Sequence, residues 1–454
     1  YIKNAFVPSI IITMAIGIGG VVFSKVIKEN YYLRIETKHG KKYFELKKSI
    51  FVAISLIAFI VTLTLAEHEF SIIEYCKNQT QKSNFIEQEY VNTENVTLKF
   101  PEKKRNLINI YIESGDASYQ DIDSGGKCEI NYIPEITKLA EENISFSHSD
   151  LIDGATVAPA CGWTIAGLVA ETAGVPLKLY KYGDVIADNS MSNYDAFLHG
   201  VTSIGDILEE QGYKNFFMAG SEFEFGGRKS YYTSHGNFEI WDYNTAVKEE
   251  KIPKDYRVFW GFEDRKLYQF AKEELLELAE NEQPFNFSML TVDTHQPAGY
   301  VCELCESEYE EQYANVWSCA SKQVYDFIEW IKEQEFYENT TIVILGDHCS
   351  MSPELIAEEA SGDIWHGTVD RKVYNAFINA IPKPVNENNR MFTTMDMFPT
   401  VLASIGVEIE GNKLALGTNL FSAEATLAEK YGYEVMFKEL DKKSVFYNQE
   451  LLYP

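Results

Sequence analysis

Thr164 stands where the stretch CGWTIAGLVAETAGVPL (161–177) passes from small residues into an apolar helix. A hydroxyl there has two uses. It can cap the helix by accepting from its first free backbone N–H groups, or it can act as a nucleophile in the helix's positive end, where an anionic group is also welcome. Threonine is a feeble nucleophile at neutral pH, and a bound cation is one of the few ways to make it attack. Ligands for such a cation occur elsewhere in the chain. Glu113 closes the apolar run NLINIYIE, Asp347 and His348 close TIVILGDH, and Asp293 and His295 follow FNFSML. Carboxylates, imidazole and a hydroxyl suit a divalent ion such as Mn, Zn or Mg. With a cation and a helix N-terminus both aimed at Thr164, the expected electrophile is a phosphate. Singly, Glu113 also reads as a solvated strand terminus and Asp347-His348 as a turn. Their joint position at strand ends is what favours a site, because charged side chains are rarely buried there without a partner.

The elements that must position these residues follow from periodicity. Apolar runs at 106–113, 214–220, 284–293, 340–347 and 373–379 read as strands. Between them, amphipathic segments at 134–143 (Pro in the first turn), 203–211 (stopped by Gly212), 263–280, 311–332 and 394–405 read as helices. Strands alternating with helices predict an α/β fold with a mostly parallel sheet covered on both faces. Ligands of such sheets collect beyond the carboxyl ends of the strands.

Composition adds a boundary. Of 454 residues, 45% are hydrophobic and 14% aromatic, which excludes disorder and requires a sizeable core. Residues 5–23 and 50–66 carry no charge over 19 and 17 positions, and both are expected to span a membrane. Lys25, Lys28, Arg34, Lys38, Lys41, Lys42, Lys47 and Lys48 lie between them and mark a cytoplasmic loop, so everything after residue 66 is expected outside. The chain starts at Tyr1 without an initiating Met, and further spans are expected upstream. This divides the chain into a membrane anchor (1–66), a polar connector (67–104) and an extracytoplasmic catalytic domain (105–454). Beyond residue 66 there are 31 basic against 65 acidic residues, a balance that repels nucleic acid.

Seven cysteines, at 76, 128, 161, 302, 305, 319 and 349, predict disulfides in an oxidising exterior, with at least one thiol left over. Cys302-x-x-Cys305 resembles half of a zinc ribbon. No second pair has matching spacing, so a local disulfide is expected there instead.

Strand-ending Glu113, GWTIAGLVAETAGVPL, TVDTHQPAG, ILGDH and the closing TTMDMFPTVLASIG with LGTNLFS together resemble the alkaline phosphatase/sulfatase superfamily. Within it they are most similar to lipoteichoic acid synthases and membrane phosphoglycerol transferases, over about 106–422. The resemblance implies a sulfatase-like fold preceded by at least two transmembrane helices. It implies Glu113, Thr164, Asp347 and His348 as metal ligands, with Mn2+ ahead of Zn2+ or Mg2+, and Thr164 also as nucleophile. His295 matches the histidine beside the phosphate, a proton donor to the leaving group, and Arg228 matches a substrate-binding arginine fourteen residues before Asp242. Gly226 stands where the synthases carry a tryptophan, so the glycerol pocket is expected to be built differently. His366 is expected to pack, Asp396 to start a helix, and Cys349 has no functional account.

The implied activity is transfer of phosphoglycerol from phosphatidylglycerol to a glycan or polyglycerol-phosphate acceptor through a covalent phosphothreonine-type intermediate. The implied location is the bacterial cytoplasmic membrane, with the catalytic domain on its outer side. A phosphoethanolamine transferase and a phosphodiesterase share the motifs. A sulfatase is disfavoured because Cys161 lacks the Cys-x-Pro-x-Arg context, and a metal-stabilised envelope sensor is the non-enzymatic alternative.

Overall fold

The computed structural model describes residues 81–452 apart from 179, 182–183, 186–190, 193, 353–354 and 357–366, and before them 31–37, 40–46, 49 and scattered positions from 53 to 67. It divides into two compact units, Tyr1–Gln81 and Lys82–Pro454.

In the second unit, β1 (Asn106–Ile112) is buried on both faces. Leu107 and Tyr111 enter one core, and Ile108, Ile110 and Ile112 enter the other. A strand apolar on both sides belongs in the middle of a covered sheet. It lies there in a six-stranded sheet with β2 (Lys214–Ala219), β3 (Glu239–Trp241), β4 (Phe285–Leu290), β5 (Thr340–Gly346) and β6 (Asn375–Ile378), in the order β6-β5-β1-β4-β2-β3. Five strands run parallel. The edge strand β6 runs antiparallel to β5. The sequence therefore located five of the sheet's strands, did not read β3, and ran two strands together in 373–379. Val373 closes a separate strand, Thr368–Val373, paired with Ala155–Val157, and Tyr374 carries the chain over to the main sheet, its hydroxyl donating to Ile136 O.

Helices α1 (Pro134–Glu142), α5 (Asp264–Ala279) and α6 (Gln312–Lys332) cover one face. Helices α2 (Thr164–Ala173), α3 (Ile204–Glu210) and α7 (Met397–Ser404) cover the other. Here α4 denotes Arg228–Ser234. α7 is preceded by a single 3-10 turn, Thr394–Asp396, that Thr393 and Asp396 close as a capping box. Asp396 also accepts from Thr418 N, so it acts as the structural helix-start residue expected. Within the sheet, Asn109, Asn286 and Asn215 join their side-chain amides across three adjacent strands at 3.1 and 2.9 Å, satisfying polar groups that would otherwise be costly to bury.

Residues 82–104 belong to this same unit: Phe85–Glu89 is helical and Leu98–Lys99 pairs with Glu408–Ile409. In the first unit the basic stretch includes an antiparallel hairpin, Tyr31–Thr37 with Gly40–Leu46. The first expected membrane span, 5–23, and His366 lie outside the described residues. Of the second span, 53, 56–57 and 59–64 are helical, with Leu56, Ile57, Ile60 and Val61 exposed. Among the described residues no helix is long and apolar enough to cross a membrane.

Candidate active site

Parallel strands β5, β1 and β4 lie side by side, so their carboxyl ends bring together residues far apart in the chain. Glu113 follows β1, Asp347 and His348 follow β5, and the 291–295 segment follows β4. The exits of β1 and β5 nearly touch. A Cβ on Gly115 would lie 2.4 Å from Gly346 Cα, and one on Gly346 would lie 2.0 Å from Gly115 O. Both positions therefore require glycine.

Glu113, Asp347 and His348 are all buried, and their ligand atoms lie within 4.8 Å of one another. His348 Nε2 is 3.4 Å from Glu113 Oε1 and 3.5 Å from Asp347 Oδ2. The other ring nitrogen, Nδ1, lies 2.8 Å from the carbonyl oxygen of Cys349. A carbonyl only accepts, so Nδ1 carries a proton, and in the neutral ring Nε2 is a bare acceptor facing the carboxylates. Neither Nε2 nor Asp347 Oδ2 has a hydrogen-bond partner, although both are buried. Acceptors that face each other across 3.5 Å with nothing to share are explained by a positive charge between them.

The protonation of the cluster agrees. Burial pushes Asp347 up and the Glu113 carboxylate adds to it, to about 8. Burial would lower His348, but Asp347 and Glu113 outweigh it and hold the ring up at about 9. Glu113 is driven up by burial and more strongly down by His295, His348 and Ser114, ending at about 2. The set is thus short of positive charge and recruits protons to supply it. Donors 3.4 to 3.5 Å apart also match the edge of a coordination tetrahedron with bonds of about 2.1 Å, roughly 3.4 Å. Two carboxylates and an imidazole held in the tautomer that metal sites use fit a divalent cation.

Thr164 completes the group. Trp163, not Thr164, is the N-cap of α2. Thr164 is the first helical residue, and its hydroxyl donates to Glu113 Oε2 at 3.3 Å instead of capping its own helix. The helix comes this close because of Gly167, one turn on: a Cβ there would sit 1.8 Å from Asp347 O.

His295 and Arg228 surround this group. Both lie within electrostatic reach of Glu113. His295 donates from Nδ1 to Gln296 O at 2.8 Å, which leaves Nε2 for other work. Its ring packs 4.6 Å from Trp260. Arg228 opens α4 after Gly226 and Gly227, both at positive φ. It is buried, donates from Nη2 to Glu222 O, and its Nε is without a partner. Burial lowers its pKa while Glu113, Asp347 and Asp242 oppose that. Asp242 itself accepts from Phe223 N and Thr245 N. Asp293 is not part of the ligand set. It accepts from Asp264 N, and the Asp264 carboxylate accepts from Val292 N and Asp293 N, which anchors the loop bearing His295 to the start of α5.

Sequence reasoning missed several contributors. Ser114 takes φ +56°, a conformation sparsely populated outside glycine. There its N–H donates to Asp347 Oδ1 at 2.8 Å and its hydroxyl to Glu113 Oε1 at 3.0 Å. Thr291 Oγ1 accepts from Glu113 N. Behind the Asp347-His348 loop, buried Arg371 pairs with Asp116 and donates to Ser350 O at 2.7 Å. Exposed Phe225 and Trp260 pack together at 5.6 Å beside Arg228 and His295, an aromatic wall next to Gly226. Glu171, in α2, is buried with neither oxygen bonded, and burial followed by the charge of Asp347 pushes its pKa well up.

Among the described residues the disulfide expectation fails; Cys76 lies outside them. Cys128, Cys161, Cys302, Cys305, Cys319 and Cys349 are all free thiols, and Cys349 is wholly buried beside the site. Cys302 and Cys305 are 3.7 Å apart because a third sulfur, Cys319, shares their corner.

Residues 105–407 match the family model described as Sulfatase. Phosphoglycerol transferase I of Xanthomonas campestris pv. campestris is 32% identical over 263 residues, 56% of this chain and 35% of that protein. The Escherichia coli protein of the same name is 31% identical over 258 residues, 56% of this chain and 32% of its own length. The chain thus covers about a third of the length of these curated relatives. Among solved structures, the lipoteichoic acid synthase LtaP from Listeria monocytogenes superposes with a TM-score of 0.55 at 17% identity, over 75% of this chain and 82% of that one. A protein in the alkaline phosphatase superfamily from Vibrio parahaemolyticus superposes at 0.53 with 21% identity, over 73% and 72%. At these identities the solved structures share the fold.

Proposed function

Because the chain belongs to the sulfatase family, we propose that it is a phosphotransferase that moves phosphoglycerol from phosphatidylglycerol to a glycan or polyglycerol-phosphate hydroxyl by way of Thr164. The observation that carries this reading is the Thr164 hydroxyl, turned from its own helix to Glu113 beside a buried, cation-deficient ligand set.

Glu113, Asp347 and His348, with Thr164 as the fourth donor, would hold one divalent ion, Mn2+ first and Zn2+ or Mg2+ after it. Such an ion lowers the pKa of an adjacent hydroxyl and offsets charge on phosphoryl oxygens. Glu113 Oε2 orients the Thr164 hydroxyl. The Thr164 hydroxyl gives up its proton to solvent as Thr164 Oγ attacks phosphorus in line, and the bond from phosphorus to the diacylglycerol oxygen breaks. His295 gives that oxygen its proton from Nε2. Arg228 and the free N–H groups in the first turn of α2 bind the non-bridging oxygens. An acceptor hydroxyl then attacks the phosphothreonine and gives its proton to His295, the bond from phosphorus to Thr164 Oγ breaks, and Oγ recovers a proton from solvent.

Residues 1–66 anchor the chain in the bacterial cytoplasmic membrane with 105–454 as the outer catalytic part, and 67–104 join the two, their later portion, 82–104, folded into the catalytic unit. Tethering raises the effective concentration of lipid that so acidic a domain would not attract. The names of the relatives in Xanthomonas and Escherichia support the headgroup chosen.

The test incubates the full chain with Mn2+ and vesicles of phosphatidylglycerol, without acceptor, and weighs the Thr164 peptide. A phosphoglycerol adduct that Thr164→Ala abolishes is expected. An ethanolamine adduct from phosphatidylethanolamine vesicles alone would replace the headgroup. Turnover that is unchanged in Thr164→Ala would remove the reading.

A further inference from the structure

Three sulfurs meet away from the Glu113 set and share no residue with it. Cys302 and Cys305 lie at the end of the loop that begins with Asp293 and His295, and Cys319 lies in α6. Cys302 Sγ is 3.7 Å from Cys305 Sγ and 3.8 Å from Cys319 Sγ, and all three are within 4.8 Å of one another. A disulfide needs about 2.05 Å. Tetrahedral zinc with bonds of about 2.3 Å to sulfur spaces its ligands by about 3.8 Å. The two measured edges have that length.

The surroundings suit thiolates. Cys305 N donates to Cys302 O at 3.1 Å, closing a turn in which the Leu304 and Cys305 amides bear on Cys302 Sγ. Gln323, one turn beyond Cys319, directs its Nε2 to Cys319 Sγ at 3.4 Å and to Cys302 Sγ at 3.9 Å. N–H groups around sulfur are the outer partners that stabilise a ligating thiolate. Cys302 and Cys319 are buried and Cys305 is half-buried.

We propose that Cys302, Cys305 and Cys319 bind a zinc ion that clamps the loop bearing His295 onto α6. The set of three soft donors selects zinc over the harder cations suited to carboxylates, and three protein ligands leave one tetrahedral position to water or another donor. The loop is then held at both ends. Asp264 secures Val292 and Asp293 at its start, and the thiolate clamp secures its finish, with Gly299 packed on Val316 of α6 between them. The proposal does not rest on the phosphotransfer reading.

The test measures zinc per chain by inductively coupled plasma mass spectrometry on full-length protein carrying Glu113→Gln and His348→Gln, which empties the other centre. One equivalent is expected, lost in Cys319→Ser and in Cys305→Ser. Cobalt substitution should give a near-ultraviolet thiolate charge-transfer band that both serine variants lack. A measurement on the unaltered chain guards against misfolded variants: titration with p-hydroxymercuribenzoate should release one zinc as three thiols react. Zinc content indifferent to both serine substitutions would overturn the proposal. So would non-reducing peptide mass spectrometry that finds two of these sulfurs joined in zinc-replete protein.

Discussion

Replacing Gly167 by alanine tests whether the contact between α2 and the end of β5 sets the site. The new methyl would lie 1.8 Å from Asp347 O and 2.7 Å from Asp347 C, whereas real Cβ atoms essentially never come closer than 3.0 Å. The obstacle is backbone, so no rotamer relieves it. The helix and the Asp347 main chain must separate by at least about 1.2 Å. Thr164 lies one turn before Gly167 on the same face, and Asp347 carries a proposed ligand, so the shift falls on the reacting geometry whichever side gives way. A misplacement of about 1 Å costs roughly 100-fold in rate, or about 2.7 kcal/mol of barrier. Overpacking costs a further 1–3 kcal/mol or so of stability. The assay is the rate of adduct formation on Thr164 with phosphatidylglycerol vesicles, alongside thermal unfolding. Leu168→Ala is the control. Leu168 is fully buried in the same helix, and its truncation costs about 2–5 kcal/mol while leaving the close approach untouched, so its rate per folded chain should stay within a few-fold of wild type. A folded Gly167→Ala chain with the wild-type rate, or an equal loss in Leu168→Ala, would refute the reasoning.

Cation affinity should rise with pH. Asp347 is held up to about 8 by burial and Glu113, and His348 to about 9 by Asp347 and Glu113 against burial. Both protons must leave before these groups can ligate, so Mn2+ binding should strengthen about 100-fold per pH unit below about pH 8 and level off above about pH 9; calorimetry in two buffers counts the protons, and a flat profile would contradict the assignment. Glu171 has a folded pKa raised well above its ordinary 4.5 by burial and Asp347, so the native state holds a proton that the unfolded state releases and stability falls as pH climbs past 4.5. In Glu171→Gln that decline should flatten by about 1.4 kcal/mol per pH unit, read from denaturant unfolding between about pH 5 and pH 8; an unchanged slope would mean the carboxyl ionises in place. Arg228→Lys keeps a charge but loses the planar fork, and should raise KM for the lipid donor about tenfold or more with folding intact; an unaltered KM would take the phosphate away from Arg228.

Residue type and periodicity were enough to find five of the six sheet strands, since a run buried on both faces must be apolar throughout, as β1 and β5 are; β3, three residues long, was too short to show a period. They also marked Glu113, Asp347 and His348, because charge at the end of such a run is conspicuous. They missed the break at Tyr374, since two short strands in succession have the same alternation as one. They could not show Ser114, whose part depends on a backbone angle. They read Cys302 and Cys305 as a pair because the third sulfur is fourteen residues further on, on another element. For Thr164 the local pattern permitted cap and nucleophile alike. The structure sets the cap aside: Trp163 takes the extended N-cap conformation, Gly167 lets the helix approach, and the Thr164 hydroxyl turns to a carboxylate 51 residues away. The sequence by itself determined which side chains could bind a cation and which elements end in them, because burial leaves a mark on every neighbouring residue. Only the tertiary structure decided that they meet, because adjacency across a sheet depends on strand order, here β5 beside β1 beside β4, and no local pattern encodes that order.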